Sequence, residues 1–103
     1  MKSDKRYRMK NKTYIFHSDP GHGWLAVKKS ELTELGIMQE ISMYSYMKGD
    51  TVYLEEDCDM TTFCRRFEQI FHQKPKMRES YLENTPLRHY PVFVKSAVGF
   101  YSN

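Results

Sequence analysis

Asp59-Met60-Thr61-Thr62-Phe63-Cys64-Arg65-Arg66-Phe67-Glu68-Gln69-Ile70-Phe71-His72-Gln73 is the stretch on which the reading of the fold turns. Met60, Phe63, Cys64, Phe67, Ile70 and Phe71 recur at i, i+3, i+4, i+7, i+10 and i+11, the spacing that puts side chains on one side of an α-helix. Arg65, Arg66, Glu68 and Gln69 take the other side. Asp59 is a good N-cap, since its carboxylate can accept from the free amides of the first turn, and Pro75 enforces a stop near Gln73. Phe63, Phe67, Ile70 and Phe71 are therefore expected at the centre of the core.

Upstream, Ile41, Met43, Ser45 and Met47 alternate with Ser42, Tyr44 and Tyr46, a strand period. Lys48-Gly49-Asp50 breaks it as a hairpin loop, and Thr51 to Leu54 returns, rich in β-branched and aromatic residues. Before that, Ser30 offers an N-cap and Gly36 a C′ residue to a helix of about two turns. Thr13 to Phe16 and Trp24 to Val27 read as strands joined through Asp19-Pro20-Gly21, with His22 and Gly23 on the tight loop. After Pro75, Tyr81-Leu82 and Tyr90 to Val94 are candidate strands that Pro86 and Pro91 confine to an edge or an end. The order β-β-α-β-β-α-β predicts an α+β fold, an antiparallel sheet with the long amphipathic helix on one face and a second, short helix.

With 103 residues the chain holds one core, expected over 13–94, with tails at 1–12 and 95–103. Aromatic residues at 15% suffice for that core and argue against a wholly disordered chain. Residues 1–12 carry +5, from Lys2, Lys5, Arg6, Arg8, Lys10 and Lys12 against Asp4; residues 13–72 carry −5 and residues 73–103 carry +3. The basic start reads as a solvated tail or as an arm for nucleic acid. Cys58 and Cys64 match neither a C-x-x-C redox pair nor a zinc knuckle, and on a helix their spacing is about 9 Å, beyond disulfide reach. Reduced thiols suit a cytoplasmic protein. No apolar run approaches the length of a membrane span, so no membrane association is expected.

His17-Ser18-Asp19-Pro20-Gly21-His22 sets two imidazoles and a carboxylate within one turn. It reads as a structural turn, as a metal or acid–base site, or as a partner-binding loop. Glu55-Glu56-Asp57-Cys58-Asp59 suits the positive end of a helix dipole; a magnesium site and mimicry of nucleic-acid phosphates are its other readings. The calcium-hand loop is absent. Cys58 stands among carboxylates that oppose a thiolate, which argues against a nucleophile. No G-x-S-x-G, Walker, dinucleotide or H-E-x-x-H pattern occurs, and each absence removes an enzyme class. Tyr44 and Tyr46 share a strand face, with Tyr53 expected on the neighbouring strand, giving either core packing or a stacking platform for single-stranded RNA.

His17-Ser-Asp-Pro-Gly-His-Gly-Trp-Leu25, Leu35-Gly-Ile37, Ile41-Ser-Met-Tyr-Ser-Tyr46 and Tyr53-Leu-Glu-Glu-Asp-Cys-Asp59 together resemble a family of small uncharacterised proteins carried by phages and plasmids. The resemblance covers roughly residues 14–70. It implies a mobile-element accessory protein and, by association, a modulator of host or defence machinery.

Three functions are expected in order. The first is a non-enzymatic protein that binds a host or phage macromolecule, a protein before any other, through His17, Asp19, His22, Trp24, Tyr44 and Tyr46, with no cofactor and no metal. The second is a metal-dependent hydrolase or nuclease built on the His17, Asp19 and His22 turn. The third is nucleic-acid binding through the six basic residues of the N-terminus.

Overall fold

The computed structural model describes residues 2–94; the C-terminal tail expected at 95–103 lies outside them. The chain is α+β. Its helices are α1 (Lys2–Asn11), α2 (Lys29–Glu34) and α3 (Asp59–Phe71), and its strands are β1 (Thr13–Ser18), β2 (Gly23–Lys28), β3 (Tyr46–Lys48), β4 (Thr51–Glu55) and β5 (Lys76–Tyr81). Short 3-10 turns lie at Met38–Glu40 and Pro86–His89. Among the described residues the strands form one five-stranded sheet in the order β3-β4-β2-β1-β5.

Helix α3 packs its stripe on one sheet face. Phe63 and Phe67 are fully buried, and both meet the ring of Tyr14 edge-on, with centroids 5.4 and 6.1 Å away. Phe71 continues the stack 4.5 Å from Phe67. Leu25, Val27, Val52 and Leu54 supply the aliphatic floor. Each fully buried side chain of this kind is worth about 1.5–3 kcal/mol of transfer free energy. Ile70, expected at the centre, lies half-buried at the margin with Met60 and Cys64. The helix ends at Phe71, two residues before the expected stop, because His72 turns left-handed (φ 59°) and closes the last turn through its N–H to the Glu68 carbonyl.

The sheet is mixed, where an antiparallel one was expected. β1, β2, β4 and β3 pair antiparallel, but β5 lies parallel to β1, with Thr13 opposite Lys76 and Ser18 opposite Tyr81. A helix of 13 residues between β4 and β5 is long enough to carry the chain back along the sheet, and a parallel strand needs such a crossover. β5 therefore begins directly after Pro75 rather than at Tyr81-Leu82. Tyr90 to Val94 forms no strand of its own, only a bridge from Val92 to Tyr46 beside two backbone bonds, Met47 N–H to the Pro91 carbonyl and Phe93 N–H to that of Ser45.

Nor is Ile41 to Met47 one strand. β3 keeps only Tyr46–Lys48, and Ser42 to Ser45 turns instead. The cause is Asp59, which is the first residue of α3 rather than its cap. Its carboxylate is 1% exposed at the residue level and accepts from the Ser42 N–H (3.0 Å), the Ser42 hydroxyl (2.7 Å) and the Ser45 hydroxyl (2.5 Å). Ser45 Oγ in turn accepts from the Glu55 N–H at 3.0 Å. A buried carboxylate is costly unless bonded this fully, so its needs override the alternating pattern.

The basic start is helical and docked, not a free tail. Met9 is 1% exposed within the core, Arg6 pairs with Glu34, and Lys12 Nζ lies 2.9 Å from Glu31. Glu31 also accepts from the Lys28 N–H and the Tyr14 hydroxyl. Burial first, and the neighbouring Glu31 second, hold the Tyr14 phenol far above its usual range.

Candidate functional site

Side chains opposite one another in an antiparallel pair share a face. The register therefore sets His17, Trp24 and Glu55 in one row, and Ala26, Tyr53 and Tyr46 in the next, on the face away from α3. The segment after β5 crosses this face. Tyr90 lies 5.4 Å from Tyr53, Lys48 Nζ sits 4.8 Å over the Tyr90 ring, and the Arg88 guanidinium lies 5.5 Å over the indole of Trp24.

Arg88 is fixed by the β1–β2 turn. Asp19 Oδ1 accepts from the Gly21 and His22 amides at 2.9 and 2.8 Å, an Asx turn that holds the buried carboxylate facing Arg88. Arg88 completes it with a two-point contact, Nε to Oδ2 at 2.5 Å and an Nη2 contact to Oδ1 at 3.0 Å. The same Nη2 lies 2.8 Å from Nδ1 of His22, and because a guanidinium only donates, Nδ1 accepts. The Arg88 bond holds the Asp19 carboxyl well below the usual carboxylate range, and the backbone amides add to it against the opposing effect of burial. His22 then stacks on Trp24, with ring planes 23° apart, and Tyr46 flanks the indole at 6.1 Å.

These groups border a hollow of about 400 Å³ lined by His22, Trp24, Tyr44, Tyr46, Glu55, Asp57, Cys58 and Arg88. Trp24 is its buried floor, while Tyr44 is 73% exposed. Four of the six expected binding residues thus converge. Asp19 stands behind them as the anchor of Arg88. His17 belongs elsewhere, edge-on to Tyr53 at 5.6 Å, in a smaller hollow of about 290 Å³ with Tyr90, Leu87 and Ser80. Burial, reinforced by Arg78, lowers the pKa of His17. Burial, then Tyr90, raises that of Tyr53.

The metal reading of the turn loses its ligands in this arrangement. Among the described residues no three His, Cys, Asp or Glu side chains are grouped so as to hold an ion, and both Asp19 oxygens are engaged by Arg88. The acidic run divides its labour: Asp59 fixes the 42–45 turn, Glu55 and Asp57 line the aromatic hollow, and the Glu56 N–H bonds the Gly23 carbonyl. Gly23 is needed there, since a Cβ would fall 2.2 Å from the Phe16 ring. Cys58 is exposed at the rim, its thiol pushed up by desolvation and then by Asp59, which disfavours the nucleophilic thiolate.

Arg88 was invisible to local reading because it lies 66 residues from His22. Its only signal is the setting, a lone arginine in a segment stiffened by Pro86 and Pro91 that also holds Tyr90. No protein-family model matches the chain, and no curated protein or solved structure matches it. No helix of the described residues is long and apolar enough to cross a membrane.

Proposed function

We propose that this chain is a non-enzymatic accessory protein of a phage or plasmid that binds a host or phage protein in the host cytoplasm and so modulates host defence. The observation that supports the reading is the aromatic hollow between the β1–β2 turn and the 42–46 segment. Its walls are set before any partner arrives: Arg88 by Asp19 and His22, and the Tyr44 loop by the serines bonded to Asp59. Met43 and Tyr44, 70% and 73% exposed, project from that loop as large contact groups. Rigid aromatic and arginine anchors of this kind dominate binding energy at protein interfaces. The nucleic-acid reading is weaker, since Arg6 and Lys12 of the basic start are paired with Glu34 and Glu31.

The immobilised protein should capture a stoichiometric partner from lysate of infected or plasmid-bearing host cells. The Tyr44→Ala/Met43→Ala variant, altered only at exposed positions, should keep its melting temperature and lose that partner. Capture of no stoichiometric partner, or capture indifferent to these substitutions, overturns the reading.

A further inference from the structure

We infer that the aromatic hollow receives a positively charged side chain, lysine or arginine, from the partner protein. The inference rests on the binding reading above and specifies the chemistry of that same site.

Charge is the first observation. Glu55 and Asp57 both line the hollow, and neither carboxylate makes an ion pair or side-chain hydrogen bond with another described residue. The cation already present, Arg88, is neutralised by Asp19. The hollow is left with two uncompensated negative charges.

Ring chemistry is the second. Tyr44 and Tyr46 line the same space, and the face of a tyrosine ring attracts a cation through its quadrupole. Arg88 over Trp24 and Lys48 over Tyr90 show this fold using that attraction on its own side chains, one of them at the wall of the hollow. A neutral or anionic guest would use the rings but leave both carboxylates without a partner, and an anion would be repelled by them. A lysine or arginine stem fits against the rings while its charged head reaches the acids. The volume of about 400 Å³ holds one such side chain with room for water.

The test uses the full chain, labelled with ¹⁵N and titrated at constant ionic strength with acetyl-Gly-Arg-Gly-amide, its lysine counterpart and its citrulline counterpart. Citrulline keeps the shape of arginine and removes the charge. Saturable shifts of the Tyr44, Tyr46 and Cys58 amides with either charged peptide, absent with citrulline, support the inference; the two charged arms show which head group is preferred. Glu55→Gln/Asp57→Asn, which removes both acids, should weaken that binding at least about tenfold, with an unchanged melting temperature. No saturation with either charged peptide, equal binding of citrulline, or indifference to the double substitution overturns it. A partner captured equally well by the parent and by the double variant leaves the docking reading standing and overturns this one. Charged peptides that bind while no protein partner is captured do the reverse.

Discussion

On the α3 side of the sheet, Tyr14 meets Phe63 and Phe67 in a dry aromatic core; on the other side, Trp24 meets His22, Tyr46 and the guanidinium of Arg88. Both faces are rich in rings, yet they are held by different forces. The first is cohesive through buried apolar area, which has no preferred direction. The second is positioned by directional bonds that start from two carboxylates, Asp19 and Asp59. One face therefore supplies stability, and the other a shape.

The comparison breaks most visibly at Phe67. Truncation to alanine should cost about 3–5 kcal/mol, because a fully buried ring leaves both transfer and cavity terms behind. A domain of this size has only about 5–15 kcal/mol in hand, so urea unfolding should find this variant marginal. A midpoint close to that of the parent would make α3 a surface element.

A smaller loss is expected for Asp59→Ala. Hydrogen bonds to a charged group are worth about 1.5–3 kcal/mol net, but the three that Asp59 accepts from Ser42 and Ser45 are offset in part by the cost of burying its charge, which the substitution also removes. The protein should stay folded while the amide of Ser42 loses hydrogen-exchange protection and the Tyr44 loop opens. A fall in stability with the loop still protected would show that the 42–46 turn is not anchored by Asp59.

Arg88→Ala sharpens the contrast through pH. The folded Asp19 carboxyl lies below its unfolded value, so the pair's contribution is complete above the ordinary carboxylate range and is lost only as pH falls beneath it. In the variant this acid-dependent loss should shrink, because the folded carboxyl no longer lies so far below its unfolded value, and Trp24 fluorescence should change as the guanidinium leaves the indole. Acid-unfolding curves of parent and variant that superimpose would refute the pairing.

The smallest effect belongs to His17. Its folded pKa lies below the ordinary value near 6.5, so the unfolded chain binds the proton more readily and stability declines as pH drops through and below that value. Subtracting the His17→Gln curve from that of the parent should leave a shallow slope of that sign. A slope of the opposite sign would mean that the ring gains an acidic partner when folded.

Much of the fold was legible from short-range pattern. The amphipathic period of 59–71, the Gly36 end of α2 (φ 72°) and the Gly49 hairpin (φ 59°) all appear where local spacing and turn chemistry place them. The misread elements share a cause. Ser42 to Ser45 alternates like a strand but answers to a carboxylate 14 or more residues away, and residues 2–11 look like a tail because the burial of Met9 depends on elements that follow it. The parallel placement of β5 likewise depends on where α3 delivers the chain, which no local window contains.

For the site, the sequence by itself determined the ingredients on the turn and the 44–46 segment: His22, Trp24, Tyr44 and Tyr46 do line one hollow. Tertiary structure alone decided that His17 leaves it for Tyr53, that Asp19 serves Arg88, and that Glu55 and Asp57 join the rings. The physical reason is range. Helix periodicity and turn chemistry act over a few residues and are written in neighbouring letters, whereas a charge or a ring takes its partner from whatever the folded sheet brings beside it.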